Sequence, residues 1–328
     1  MSRGKLASVA ALGAAAGAAS SLLYTKAQEQ DRFPPDTISV SSPIIETKNL
    51  SFPSPISIFK EKEITSGPAN PAGILKYGFP GPISDELKSL SLYGGYDRRT
   101  RNPSWVAEHI TTESVAKSIA SRKNYFREDP DIPAFFRAKV ADYAGSGYDR
   151  GHQVPAANAN WSQEAMDDTF KMSNMCPQVG IGFNQHYWAR VEKFTRNLTT
   201  RYPSVRVVTG PLYLPHRDSD SKWRVSYEVI GDPPNVAVPT HFYKVVFGEE
   251  EDNGDGLGGQ VAIAAFVLPN APIDKDKDLS EFEVELEAVE RGSGLEFARK
   301  LDAKQRKKLC EEVKCDVRIQ DFARQSKL

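Results

Sequence analysis

The sequence predicts an α+β fold, with a central mostly antiparallel sheet flanked by helices. Three observations carry this reading. Short apolar runs at residues 205–209, 225–230, 241–247 and 261–268, each with Pro or Gly at its edges, read as strands. Residues 184–201 place Trp188, Val191, Phe194, Thr195 and Leu198 at three- and four-residue spacing, the period of a helix with one buried face. Strands and helices are interspersed without the regular alternation of a parallel βαβ sheet.

From the N-terminus, residues 1–28 stand apart. Arg3 and Lys5 precede an Ala/Gly/Leu stretch over 6–24, Lys26 follows, and the first acidic residue is Glu29. The pattern is that of a targeting or membrane-anchor segment: a secretory signal, a mitochondrial presequence or a weak anchor. The stretch approaches the roughly 20 residues that cross a bilayer, but its Ala and Gly content makes insertion marginal. Residues 29–72 are rich in Pro and Ser and read as a linker, and 73–320 as one folded domain.

Within that domain, 90–96 and 105–111 read as strands around a polar turn. Residues 132–144 read as a helix ended by Gly145 and Gly147, and 162–171 as a short helix beginning at Ser162. Tyr202-Pro203 closes the long helix. The acidic, Gly-rich stretch 248–259 reads as a flexible solvated loop, 282–286 as a strand, and 294–314 as one or two amphipathic helices.

The chain of 328 residues carries 42 basic and 43 acidic side chains, a formal net charge of -1. It lacks the basic excess common among nucleic-acid binders, so any phosphate-binding surface must be a local patch. Three cysteines, Cys176, Cys310 and Cys315, are too few and too odd for a disulfide framework. They are read as free thiols; a local Cys310–Cys315 bridge is the alternative in an oxidising compartment. No HExxH or paired CxxC pattern supports a zinc site.

The chemistry concentrates in Tyr148-Asp149-Arg150-Gly151-His152. Glycine before the histidine permits close backbone approach. In a strand, Arg150 and His152 point to one face, which joins a fixed cation to an imidazole able to take a proton. Further on, Asn184, Trp188 and Glu192 are spaced by four residues, which sets an amide and a carboxylate along one edge of the predicted helix. His109, His186, His216 and His241 are read as structural.

The run Asp149-Arg150-Gly151-His152, followed by Asn174, Asn184 and Glu192, resembles the DNA/RNA non-specific endonucleases, the ββα-metal nucleases of the endonuclease G type. Blocks at 76–82, 102–106, 146–148, 166–170, 209–213 and 239–242 extend the resemblance over about residues 73–316, closest to fungal mitochondrial members. The resemblance implies a ββα-metal fold and Mg2+-dependent cutting of DNA and RNA, with Mn2+ as a substitute. It implies His152 as general base, Asn184 as direct metal ligand and Glu192 as holder of metal-bound waters. Arg122 and Arg150 would grip phosphate, Asn174 would orient water or the metal shell, and Arg196 would lie near the leaving group. It also implies a homodimer and a mitochondrial home at the inner membrane or intermembrane space, with membrane contact through 6–24 and a role in nucleic-acid degradation or cell death. The alternatives are a secreted nuclease and a catalytically inactive membrane-tethered nucleic-acid-binding module.

Overall fold

Apolar residues on both faces of the central strands demand cover from two sides, and the layering follows from that. The structure is a computed structural model that describes residues 73, 76–77, 85–251, 259–319 and 322. All of these belong to the unit Glu61–Leu328. The targeting segment, its stretch 6–24 and nearly all of the linker lie outside the described residues. No helix among the described residues is long and apolar enough to cross a membrane.

The strands, in chain order, are β1 (Asp85–Lys88), β2 (Tyr93–Asp97), β3 (Asn102–Thr111), β4 (Tyr148–His152), β5 (Met175–Val179), β6 (Ser204–Leu212), β7 (His216–Arg217), β8 (Trp223–Arg224), β9 (Val229–Ile230), β10 (Val236–Ala237), β11 (His241–Glu249), β12 (Val261–Pro269), β13 (Glu283–Val284) and β14 (Arg306–Lys308). The α-helices are α1 (Thr112–Ala116), α2 (Gln163–Asp168), α3 (Ala189–Asn197), α4 (Leu286–Ser293) and α5 (Leu309–Glu312). The main sheet runs β1-β2-β3-β6-β11-β12-β13, with β14 also on β12. Its pairings are antiparallel except β12 with β14, as the α+β reading expects.

Alternation along β3, β6 and β11 divides the core. Ile110, Val205, Val207, Phe242 and Val246 pack beneath Val191 and Phe194 of α3 and the following Leu198. Trp105, Ala107, Val208, Tyr243, Val245 and Phe247 face the opposite layer, formed by Val289 of α4 with Leu295 and Phe297. The site is built on the first face: β4 pairs with β5, and the chain then turns into α3, which gives a β–β–α unit.

Several local expectations are corrected. Residues 132–144 form two single 3-10 turns, Ala134–Phe136 and Val140–Tyr143, because tertiary partners take the intervening backbone groups. Ala138 N donates to Tyr96 Oη at 3.0 Å, and Arg137 O accepts from Asn235 Nδ2 at 3.0 Å. The helix expected over 184–201 forms, but its opening turns through Trp188 are π-helical and pass into α3 at Ala189; the extended Ile181 and the positive φ of Gly182 (88°) end it on the N-terminal side. Of 225–230, only Val229–Ile230 is laddered. The predicted strand 282–286 shrinks to β13. Of the helices expected in 294–314, only the short α5 and a 3-10 turn at Ala303–Gln305 form; the longer helix, α4, lies earlier and is ended by Gly294 (φ 74°) in the left-handed conformation.

In the acidic stretch, residues 252–258 lie outside the description, but Glu249 is buried and paired with Arg206 and Tyr77, not solvated. Cys310 and Cys315 form a disulfide, which overturns the free-thiol reading for these two, while Cys176 is free and buried. The bridge closes a loop with a sequence separation of 5, so its effect through the unfolded chain is modest. Replacing both cysteines by serine should lower unfolding free energy by roughly 2 kcal/mol, read from the denaturant midpoint. An unchanged midpoint would contradict a stabilising bridge.

Candidate active site

Gly151 sits opposite Cys176 in the β4–β5 ladder. A Cβ at this position would fall 2.1 Å from Oε1 of the fully buried Gln178, so only glycine lets that side chain lie across the strand. With this contact made, Arg150 and His152 project together. The Arg150 guanidinium stands 4.4 Å over the Phe126 ring. The His152 ring lies 5.8 Å from Phe126 and meets Phe170 edge-on at 4.9 Å. Arg122 stands 5.4 Å over Phe170. Phe126 and Phe170 themselves meet edge to face at 5.1 Å, so one aromatic pair seats two arginines and the imidazole.

The backbone behind His152 is tied down. Trp188 Nε1 donates to His152 O at 3.4 Å. The Asn174 carboxamide accepts from Val154 N at 3.0 Å and donates to Val154 O and Thr169 O, both at 2.9 Å. Asn174 is thus spent on backbone and does not line the cleft, contrary to the expectation that it orients water or metal.

The π-helical stretch Gly180–Trp188, broken at Ile181 and Gly182, faces β4. At Gly182 a Cβ would come within 2.6 Å of Pro272, so this bend too requires glycine. Asn184 Nδ2 donates to Asp149 Oδ2 at 2.9 Å and Gln185 Nε2 donates to the same oxygen at 2.8 Å. With its nitrogen held, the polar atom that Asn184 keeps available is its carbonyl oxygen. Glu192, half-buried in α3, lines the same cleft of about 680 Å³, together with Arg122, Phe126, Asp149, Arg150, His152 and Asn184.

Burial, and secondarily the Arg122 charge, push His152 down to about 3. Its Nε2 is enclosed with no hydrogen-bond partner among the described residues. Burial pushes Glu192 up to about 7; Lys244 opposes this, Glu108 adds to it, and Arg196 and Arg122 pull down. Arg196 does not line the cleft: its Nη1 donates to Asn158 Oδ1 at 2.6 Å behind the wall.

The other histidines are engaged elsewhere and do not line the cleft. His109 Nε2 and Ser204 Oγ share a hydrogen bond of 2.9 Å, and His186 Nδ1 accepts from Gly182 N at 2.9 Å. His216 Nε2 lies 3.0 Å from Asp218, and His241 Nδ1 lies 3.0 Å from Thr240 Oγ1. Sequence reasoning missed Asp149 as the anchor of Asn184, although it stands inside the quoted motif. It also missed Phe126 and Phe170, for which no local pattern existed.

The oxygen-bearing side chains lining the cleft include the carboxamides of Asn124, Asn184 and Gln185 and the carboxylates of Asp149 and Glu192. Oxygen donors of this kind suit a hard divalent cation that keeps most of its waters. Among the described residues there is no group of three or more His, Cys, Asp or Glu able to hold a metal. A site with one protein ligand does not need such a group.

The model of the family described as DNA/RNA non-specific endonuclease matches residues 70–304. The chain is 54% identical over 256 residues to the mitochondrial nuclease of Saccharomyces cerevisiae, covering 77% of this chain and 78% of that protein. It is 47% identical over 225 residues to human mitochondrial endonuclease G, covering 68% and 72% respectively. A crystal structure of the EndoG/EndoGI complex superposes with TM-score 0.68 at 44% identity, covering 74% of this chain and all of the other. The site lies wholly within the matched residues, and the chain belongs to the DNA/RNA non-specific endonuclease family.

Proposed function

We propose that this endonuclease of DNA and RNA works through His152 as general base and a Mg2+ ion held by Asn184, within a catalytic domain spanning 73–320. The observation that carries the reading is the cleft itself. It sets an uncharged imidazole between two arginines and faces it with an asparagine whose amide nitrogen is already taken by Asp149.

Arg122 and Arg150 hold the non-bridging oxygens of the phosphodiester, a contact with backbone rather than base edges, and so indifferent to sequence. His152 takes a proton from water as that water attacks phosphorus. A base held near 3 is weak, but an incoming phosphate anion favours the protonated imidazole and raises its proton affinity when it is needed. Glu192 orients waters on the metal side. The Asn184 carboxamide oxygen would hold a Mg2+ or Mn2+ ion, which would supply charge neutralisation at the phosphate and the leaving oxygen. Asn174 and Arg196 act as supports of His152 and Glu192 rather than as contacts to substrate.

The names of the yeast and human relatives place those proteins in mitochondria, and the same location is proposed here. Association with the inner membrane through 6–24, the intermembrane space and a homodimeric state remain part of the proposal.

His152→Ala should lower kcat on plasmid and on RNA by about 10²–10⁴-fold, measured with the full chain. Wild-type turnover in that variant would remove His152 from the mechanism. EDTA should abolish cutting, and Mg2+ or Mn2+ should restore it. Asn184→Ala should shift the Mg2+ titration to higher concentration; an unshifted titration would exclude Asn184 as ligand. The pH dependence is read on the imidazole. His152 stays neutral from pH 8 downward and protonates only as pH falls toward about 3, whereas in the unfolded chain it protonates near 6.5. The unfolded state therefore binds the extra proton between those values, and this group's contribution to stability falls as pH drops through that window. A 15N NMR titration of the metal-free protein should find His152 neutral at pH 5; protonation near 6.5 would refute the burial argument.

A further inference from the structure

The sheet face beneath α3 is apolar at Ile110, Val205, Val207, Phe242 and Val246, yet three polar side chains interrupt it. Glu108 lies opposite Val207, and Thr209 lies opposite Lys244. Lys244 is 0% exposed and Glu108 2%. Two opposite charges buried in such a place seldom stabilise more than apolar residues of the same volume, so stability alone does not account for them.

The contacts of the two charges converge on the cleft from opposite ends. Lys244 Nζ donates to Thr209 Oγ1 at 2.8 Å and to Gln153 O at 3.5 Å, one residue past His152. It also lies 4.7 Å from the Trp188 ring, and that indole donates to His152 O. Trp188 immediately precedes α3. At the other end, Glu108 Oε2 accepts from Asn158 Nδ2 at 2.8 Å, and Asn158 Oδ1 accepts from Arg196 in the last turn of α3. Glu192 lies between these two anchors. Burial pushes Glu108 up and Lys244 down; each charge opposes this for the other, as does Glu192 for Lys244.

We propose that Lys244 and Glu108 are positioning residues for hydrolysis: Lys244 fixes the His152 peptide and the start of α3 against the sheet, and Glu108 fixes its end. Together they set the distance between base and metal side of the cleft. The proposal rests on the assignment of His152, Asn184 and Glu192 made above.

The test compares Lys244→Met, Glu108→Gln and the double variant in the full chain at saturating Mg2+, by melting temperature, kcat and KM on plasmid. Lys244→Met alone should lose both stability and turnover, because it leaves Glu108 as a lone buried charge. The double variant should regain the wild-type melting temperature to within about 3 °C. Its kcat should stay at least roughly tenfold below wild type with KM within about twofold, the signature of misplaced reacting groups. Recovery of kcat together with melting temperature would show that the pair is merely structural and would overturn the proposal. Should the charge variants not fold, Asn158→Ala cuts the Glu108–Arg196 link without removing a charge. It should lower kcat by about tenfold at unchanged KM, and a wild-type kcat would again overturn the proposal. His152→Ala measured beside them keeps the outcomes apart: full activity there means the site is wrongly assigned, whatever the pair does.

Discussion

The close approach of β4 and β5 at Gly151 is the constraint on which the site depends. With no Cβ at 151, Gln178 lies across the strand and the hairpin closes. Only then does strand alternation turn Arg150 and His152 toward the same space and place Asp149 beside the turn that brings Asn184 and Gln185. Any side chain at 151 would displace a fully buried amide and, with it, the relation between base and metal side.

The electrostatics are local because the chain as a whole is nearly neutral. Phe126 and Phe170 gather Arg122, Arg150 and His152 on one aromatic pair, which concentrates positive charge where a phosphate would sit. Field in a cleft with low-dielectric walls is stronger than the same charges would produce in open water. The same burial that strengthens the field, with the Arg122 charge beside it, favours the uncharged form of His152.

The sheet provides the rigid base for this arrangement. Its two faces are covered by separate cores, so α3 rests on strands that are themselves backed by α4 and the residues that follow it. At the sheet margin Glu249 ties Arg206, Tyr77, Lys76 and Ser204 together, which anchors the beginning of the domain to β6 and β11. The Cys310–Cys315 bridge holds α5 to the segment after it, whose Ile319 and Phe322 return to α3. The cleft thus draws on β4, the π-helical stretch and α3, and the remaining structure holds these segments against one face of the sheet.

The sequence by itself determined the sheet-rich class, the central strands, the β4 motif and the helix that carries Glu192, because each is written in local periodicity or adjacent residues. It also separated His152 from the other four histidines, since only His152 follows an arginine and a glycine in a strand. The tertiary structure alone showed that the helix opens in π geometry after Gly182, where Pro272, far along the chain, leaves no room for a side chain. It decided that Asn174 and Arg196 support the cleft from behind, since their partners lie on other segments. It decided as well that Phe126 and Phe170 seat Arg122, Arg150 and His152, and that Lys244 and Glu108 meet beneath α3. Each of these reads locally as an ordinary core or surface residue; its role comes from neighbours distant in sequence, and no periodicity along a single chain records which buried residue will meet which.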